Sequence, residues 1–284
     1  NCGANQTIDQ NHLFGNQVRS FYPLPPPSQD AQQFHAVSEL AVRAVTDSLA
    51  AVPGPVHLNI PFREPLVPAI EGLPETAVPI EKPVISAASP EPDFSQLDQL
   101  ARSLRGKTGI IVCGPEQYQT EFADAVTALS RRLAAPLLAD PLSGLRFGVA
   151  APEQIITRYD AFLRRQRFTK DHAPEWVLRF GAFPVSRHLS SYLEECEGSR
   201  HYLVDTHGRR RDPLHRTATT ITALPAIFCR QLAERVGHAT DQSWLDSFRR
   251  EEMRAGLQCD ADQGVLPEAL RQLIEHRAVP HTFA

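Results

Sequence analysis

Apolar and polar residues alternate along Gly54-Pro55-Val56-His57-Leu58-Asn59-Ile60-Pro61, with Val56, Leu58 and Ile60 on one side and His57 and Asn59 on the other. A period of two predicts a strand, opened by the Gly-Pro turn and closed by Pro61, which has no N–H for a ladder. Upstream, Val37, Leu40, Ala41, Ala44, Val45, Leu49 and Val52 recur at helical spacing and stop at Pro53-Gly54. Ser28 and Asp30 are both plausible caps for that helix. Helix, tight turn and strand form the closing part of an α/β unit, and such a unit alone cannot bury both faces of a sheet. Residues 1–27, small and amide side chains followed by a run ending in Pro25-Pro26-Pro27, predict irregular chain.

Beyond Pro61 the prolines Pro65, Pro68, Pro74, Pro79 and Pro83 exclude a sustained helix and predict an extended linker. A helix is expected over about 94–105, then a buried parallel strand in Thr108-Gly109-Ile110-Ile111-Val112-Cys113-Gly114-Pro115. Phe122, Val126, Leu129 and Leu133 make the inner stripe of the next helix. The alternation continues with strands at 136–139, 176–181, 201–205 and 218–222, and helices near 154–166, 186–196 and 225–236. Two further helices are predicted near 242–257 and 264–277, the second with Leu266, Ala269, Leu270, Leu273 and Ile274 on one face. Strands alternating with helices imply βαβ units, hence an α/β fold with a doubly wound, mostly parallel, Rossmann-like sheet.

Composition adds exclusions. The 284 residues are 42% hydrophobic and 22% charged with a net charge of −4, which is ordinary globular usage and offers no general attraction to nucleic acid or to an anionic membrane. No apolar run approaches the roughly 18 residues that span a bilayer. Cys2, Cys113, Cys196, Cys229 and Cys259 form no CxxC pair, which argues against a zinc site or disulfide framework and fits reduced thiols in a cytoplasmic compartment. The first residue is Asn1 rather than Met, and the chain is expected to be a piece of something longer.

Candidate chemistry is sparse. After Val112 the chain reads Cys-Gly-Pro-Glu, without G-x-G-x-x-G or a P-loop, so Gly114 needs to serve only a strand-to-helix turn and no nucleotide is expected. Arg209, Arg210 and Arg211 follow a strand end, where ligands sit in open α/β sheets, and such a loop can hold an anion. The same composition suits a solvated loop in which Asp212 pairs with Arg211. Arg187 lies just past another strand end at a helix N-terminus, where the dipole and free N–H groups favour a carboxylate. Asn5 and Gln6 offer amides to a polar ligand. The histidines show no metal-binding spacing, and no nucleophile elbow is present. From the residues alone this is an α/β ligand-handling domain beside part of another domain, with no reaction named.

Four segments occur in order: Asn1-Cys2-Gly3-Ala4-Asn5-Gln6-Thr7-Ile8, Gly54 through Leu66, Arg179-Phe180-Gly181-Ala182-Phe183-Pro184-Val185-Ser186-Arg187, and Arg211-Asp212-Pro213. Together they resemble the thiamine-diphosphate-dependent SEPHCHC synthase family, whose product is 2-succinyl-5-enolpyruvyl-6-hydroxy-3-cyclohexene-1-carboxylate. Cys2 through Gln6 and Phe62 through Leu66 narrow the resemblance, since the Gly54–Asn59 strand type is shared by many thiamine-diphosphate enzymes. The resemblance implies that residues 1–67 are the C-terminal part of a pyrimidine-binding domain, 68–93 a linker, 94–260 the central α/β domain and 261–284 the lead-in helix to a pyrophosphate-binding domain. It also implies a cytoplasmic transferase of menaquinone or phylloquinone biosynthesis that decarboxylates 2-oxoglutarate and adds the succinyl unit to isochorismate. The complete enzyme would be a dimer or tetramer using thiamine diphosphate with Mg2+ or Mn2+, without nucleic-acid or membrane partners. On the resemblance, Gln6 is the active-site glutamine, and Asn5 and Arg187 join it in binding substrate. Where family members often carry Lys or Lys-Arg, this chain has Ser186-Arg187. The cofactor-activating Glu and the metal-binding GD…N motif have no counterpart within the chain, so this segment alone is expected to bind neither cofactor nor metal and to be inactive. Two alternatives stand beside this reading: the central domain of an acetohydroxyacid-synthase-type enzyme, often FAD-binding, or a regulatory domain whose Arg209–Arg211 loop takes an aromatic acid.

Overall fold

In the computed structural model, residues 8–28, 30–63, 89–147 and 152–262 are described. Packing separates Asn1–Ala88 from Ser89–Ala284.

The first unit contains β1 (Phe21–Pro23), α1 (Ala31–Ser48) and β2 (His57–Asn59). The cap is Asp30, whose carboxylate accepts from Gln32 N at 3.0 Å. β1 and β2 pair in parallel, with Phe21 opposite His57 and Pro23 opposite Asn59, so the unit is βαβ rather than helix and strand alone. The irregular chain expected over residues 1–27 thus includes a strand, and Pro23 is tolerated because it stands at the strand's end. Asp47 on α1 accepts hydrogen bonds from Ser20 Oγ at 2.6 Å and from Tyr22 Oη, tying helix to strand. Ala44 and Tyr22 are buried, whereas Val37, Val45, Leu49, Leu58 and Ile60 stay exposed.

The second unit runs α2 (Phe94–Leu104), β3 (Gly109–Cys113), α3 (Phe122–Leu133), β4 (Leu137–Ala139), β5 (Ile155–Ile156), α4 (Tyr159–Leu163), α5 (Gln166–Asp171), β6 (Trp176–Phe180), α6 (Arg187–Glu195), β7 (Arg200–Asp205), β8 (Thr217–Thr222), α7 (Pro225–Arg235) and α8 (Ser243–Asp262). Its six strands are all parallel in the order β5-β4-β3-β6-β7-β8, the doubly wound sheet that the alternation predicts. Ile111, Leu178, Phe180, Tyr202 and Val204 face α2, α3 and α7. Ile110, Val112, Leu138 and Val177 face α4, α5, α6 and α8. Burial on both faces is why β3 reads as an unbroken apolar run and β6 as one interrupted only by Arg179.

The single helix expected over 154–166 is replaced by a 3-10 turn (Pro152–Gln154), the edge strand β5, and the short helices α4 and α5. Ile155 and Ile156 complete the ladder against Leu137 and Leu138. The corner that follows is held from α8, where Glu252 accepts from Thr157 Oγ1 at 2.7 Å and Arg158 N at 2.8 Å. The predicted helix near 264–277 and most of the linker lie outside the described residues. Among the described residues no helix is long and apolar enough to cross a membrane.

Candidate functional site

The order of the strands reverses between β3 and β6, and ligands of open α/β sheets sit beyond the carboxyl ends of the strands at such a point. Here the two loops are stitched together: Gly114 N donates to Phe180 O at 2.9 Å and Ala182 N to Pro115 O at 3.0 Å. A Cβ on Gly114 would stand 1.8 Å from Ala182 O, and Gly181, at φ +71°, would put one 2.5 Å from the Tyr118 hydroxyl. Both glycines serve this close backbone approach.

The loop after β6 is then aimed by two carboxylates, one just past β4 and one on α4. Asp140, buried just past β4, accepts from Leu142 N at 2.9 Å through Oδ1 and from Val185 N at 3.0 Å through Oδ2. Ser186 caps α6, its Oγ accepting from Leu189 N at 3.1 Å and donating to Asp160 Oδ1. His188 Nδ1 stands 3.2 Å from Asp160 Oδ2. Burial raises the Asp160 pKa, but the hydrogen bonds of Ser186 and His188 outweigh it and hold the carboxyl below its ordinary range. Arg187 is the first residue of α6, exposed, and has no ion pair or side-chain hydrogen bond among the described residues. An open guanidinium at the positive end of a helix suits a carboxylate.

The arginine loop after β7 is built differently. Asp205, buried at the end of that strand, accepts from His207 N at 2.8 Å, Arg209 N at 3.0 Å and Arg209 Nε at 3.3 Å. Arg209 and Arg211 also converge on Glu116 Oε2 at 3.2 and 3.1 Å. Arg210 is exposed and donates to Thr217 O at 2.8 Å. Internal carboxylates therefore already occupy Arg209 and Arg211. The pairing expected between Asp212 and Arg211 is not formed. Asp212 instead faces Arg179 of β6 at 3.4 Å, with side chains 2% and 3% exposed, because the loop folds back over the sheet and Thr217 N, at 2.6 Å, holds the other carboxylate oxygen.

Asn5 and Gln6 lie outside the described residues, so the amides are not placed against Arg187. Asp140 and Asp160 were not singled out from sequence; Asp140-Pro141 after a strand is an Asx-turn signal that marks the first, and Asp160 carries none. Among the described residues no three His, Cys, Asp or Glu side chains are grouped to hold a metal ion.

Residues 79–272 match the family described as the middle domain of thiamine pyrophosphate enzymes, and the chain belongs to that family. Within it, the chain is 38% identical over 256 residues to the 2-succinyl-5-enolpyruvyl-6-hydroxy-3-cyclohexene-1-carboxylate synthase of Dechloromonas aromatica, covering 89% of this chain and 47% of that protein. The enzyme of the same name from Chloroflexus aurantiacus is 36% identical over 289 residues, covering 99% of this chain and 47% of the relative. The chain therefore spans about half the length of these curated relatives. An X-ray structure assigned to a thiamin diphosphate-dependent enzyme from Mycobacterium smegmatis superposes with a TM-score of 0.50 at 20% identity, covering 82% of this chain and 42% of that one, a likeness of fold.

Proposed function

We propose that this chain is the central segment of a SEPHCHC synthase subunit, and that Arg187 binds a substrate carboxylate there. The complete enzyme would decarboxylate 2-oxoglutarate and add the succinyl unit to isochorismate, with thiamine diphosphate and its Mg2+ or Mn2+ held by parts of the subunit other than the described residues. Both substrates are dicarboxylates, so the site requires cations and amide donors, and Asn5 and Gln6 would supply the amides. The observation that carries this reading is the exposed guanidinium of Arg187 at the N-terminus of α6, without an internal partner among the described residues, in a chain 36–38% identical to SEPHCHC synthases. Arg209 and Arg211 are given a structural part, because Glu116 and Asp205 already pair with them.

The test is steady-state kinetics on the complete subunit. Losing one charge-assisted contact costs about 1.5–3 kcal/mol, so Arg187→Ala should lower kcat/KM roughly 10- to 150-fold for the substrate whose carboxylate it holds. Gln6→Glu should also lower kcat/KM, because a carboxylate replaces an amide donor beside an anionic substrate. Wild-type constants for both variants and both substrates would remove these residues from the site.

A further inference from the structure

We propose that Asp160 is a positioning residue for Arg187, acting through the Ser186 hydroxyl; this deepens the reading of Arg187 as a carboxylate contact and rests on it. Asp160 offers one carboxylate oxygen to Ser186 and the other to His188, the residues immediately before and after Arg187. Gripped on both sides, the first turn of α6 leaves Arg187 as the one of the three that is exposed. Both ends of the clamp are anchored. α4 is rooted by Tyr159 and Phe162, each 1% exposed, and α6 by Leu189, Tyr192 and Leu193 from the same core. The helix that carries Asp160 is therefore fixed in the core, while its carboxylate, half exposed, reaches across to the first turn of α6.

The chemistry explains why a serine stands here. Ser186 Oγ accepts from Leu189 N and donates to Asp160 in the same geometry. A hydroxyl performs both roles; an aspartate cap can only accept, and alanine does neither. Holding a cation in place before the substrate arrives removes part of the ordering cost of binding, so its loss should be read in KM rather than in the chemical step.

The experiment uses the complete enzyme and compares Asp160→Ala, Ser186→Ala, Ser186→Thr, Arg187→Ala and the Asp160→Ala/Arg187→Ala pair. Asp160→Ala and Ser186→Ala should each raise KM for the substrate held by Arg187 roughly three- to tenfold with kcat nearly unchanged. Ser186→Thr, which keeps the hydroxyl, should restore a near-wild-type KM. In the Arg187→Ala background, Asp160→Ala should add less than about twofold, as residues acting as a unit do. Asp160→Ala that multiplies the Arg187→Ala defect, or leaves KM unchanged while Arg187→Ala is impaired, overturns the positioning role alone. Wild-type kinetics for Arg187→Ala would remove the carboxylate reading and the positioning role together. Should Asp160→Ala fail to fold, the Ser186→Ala and Ser186→Thr pair decides: equal KM values in the two overturn the proposal.

Discussion

His201 carries a pH dependence that belongs to one side chain. It is buried on β7, its Nε2 has no hydrogen-bond partner among the described residues, and Arg179 lies on the neighbouring strand. Burial, and then the Arg179 charge, push its pKa down to about 4 from an ordinary 6.5. Between those values the unfolded chain binds a proton that the folded chain refuses, so stability is full above about pH 6.5 and declines as pH falls towards 4. The loss is on the order of 3 kcal/mol. It should appear in urea unfolding of this chain at pH 7 and pH 4.5, and His201→Leu should flatten the difference; an unchanged slope in that variant would assign it elsewhere. Asp212 titrates in a separate window. Burial raises its pKa, but Thr217 and Arg179 outweigh that and hold it below the carboxylate range, so its contribution is lost only at more acid pH. The same residues show what a sequence pattern cannot display. Arg179 reads as one polar residue in a strand, and its partner lies 33 positions away on a loop whose return path no periodicity describes.

At the scale of elements, the β3 and β6 loops cross with their backbones in direct contact. Gly114→Ala forces a methyl against Ala182 O, and overpacking at such a site costs about 1–3 kcal/mol. The expected outcome is a lower urea midpoint with the slope of the transition unchanged; an unaltered midpoint would mean that the loops separate without cost. The long elements of this unit were legible. β3 is apolar throughout and β6 at every position but Arg179 because both faces are covered, and α2, α3 and α7 bury a regular stripe. β1 and β5 were not: Phe21-Tyr22-Pro23 ends in a proline beside a proline-rich run and Ile155-Ile156 is only two residues long, so neither carries a pattern of its own and their identity comes from the partner strand. The candidate site divides in the same way. Arg187 was visible as a cation after a strand end with a serine before it, whereas the carboxylates that aim its loop come from 26 and 45 positions upstream.

At the scale of the molecule, the two units differ in how well each covers itself. The second encloses two apolar layers, while the first leaves Phe34, Val37, Val45, Leu49 and Leu58 in water. The cofactor-activating Glu and the metal-binding GD…N motif that the family resemblance implies have no counterpart in this sequence, and on that ground we propose that the 284-residue chain by itself gives no heat on titration with thiamine diphosphate and Mg2+ and no product from 2-oxoglutarate and isochorismate. Saturable binding or turnover by this chain would refute that. The strand order also sets a timetable. β3 and β6 lie side by side at the middle of the sheet, yet Trp176 follows its neighbour Gly109 by about 67 residues. At a translation rate of roughly 5–20 residues per second, β3 leaves the ribosome some 3–13 seconds before β6 exists to flank it. Through that interval one edge of an all-apolar strand is open to any other nascent chain, which makes crowded expression at high temperature the condition under which this protein should aggregate first.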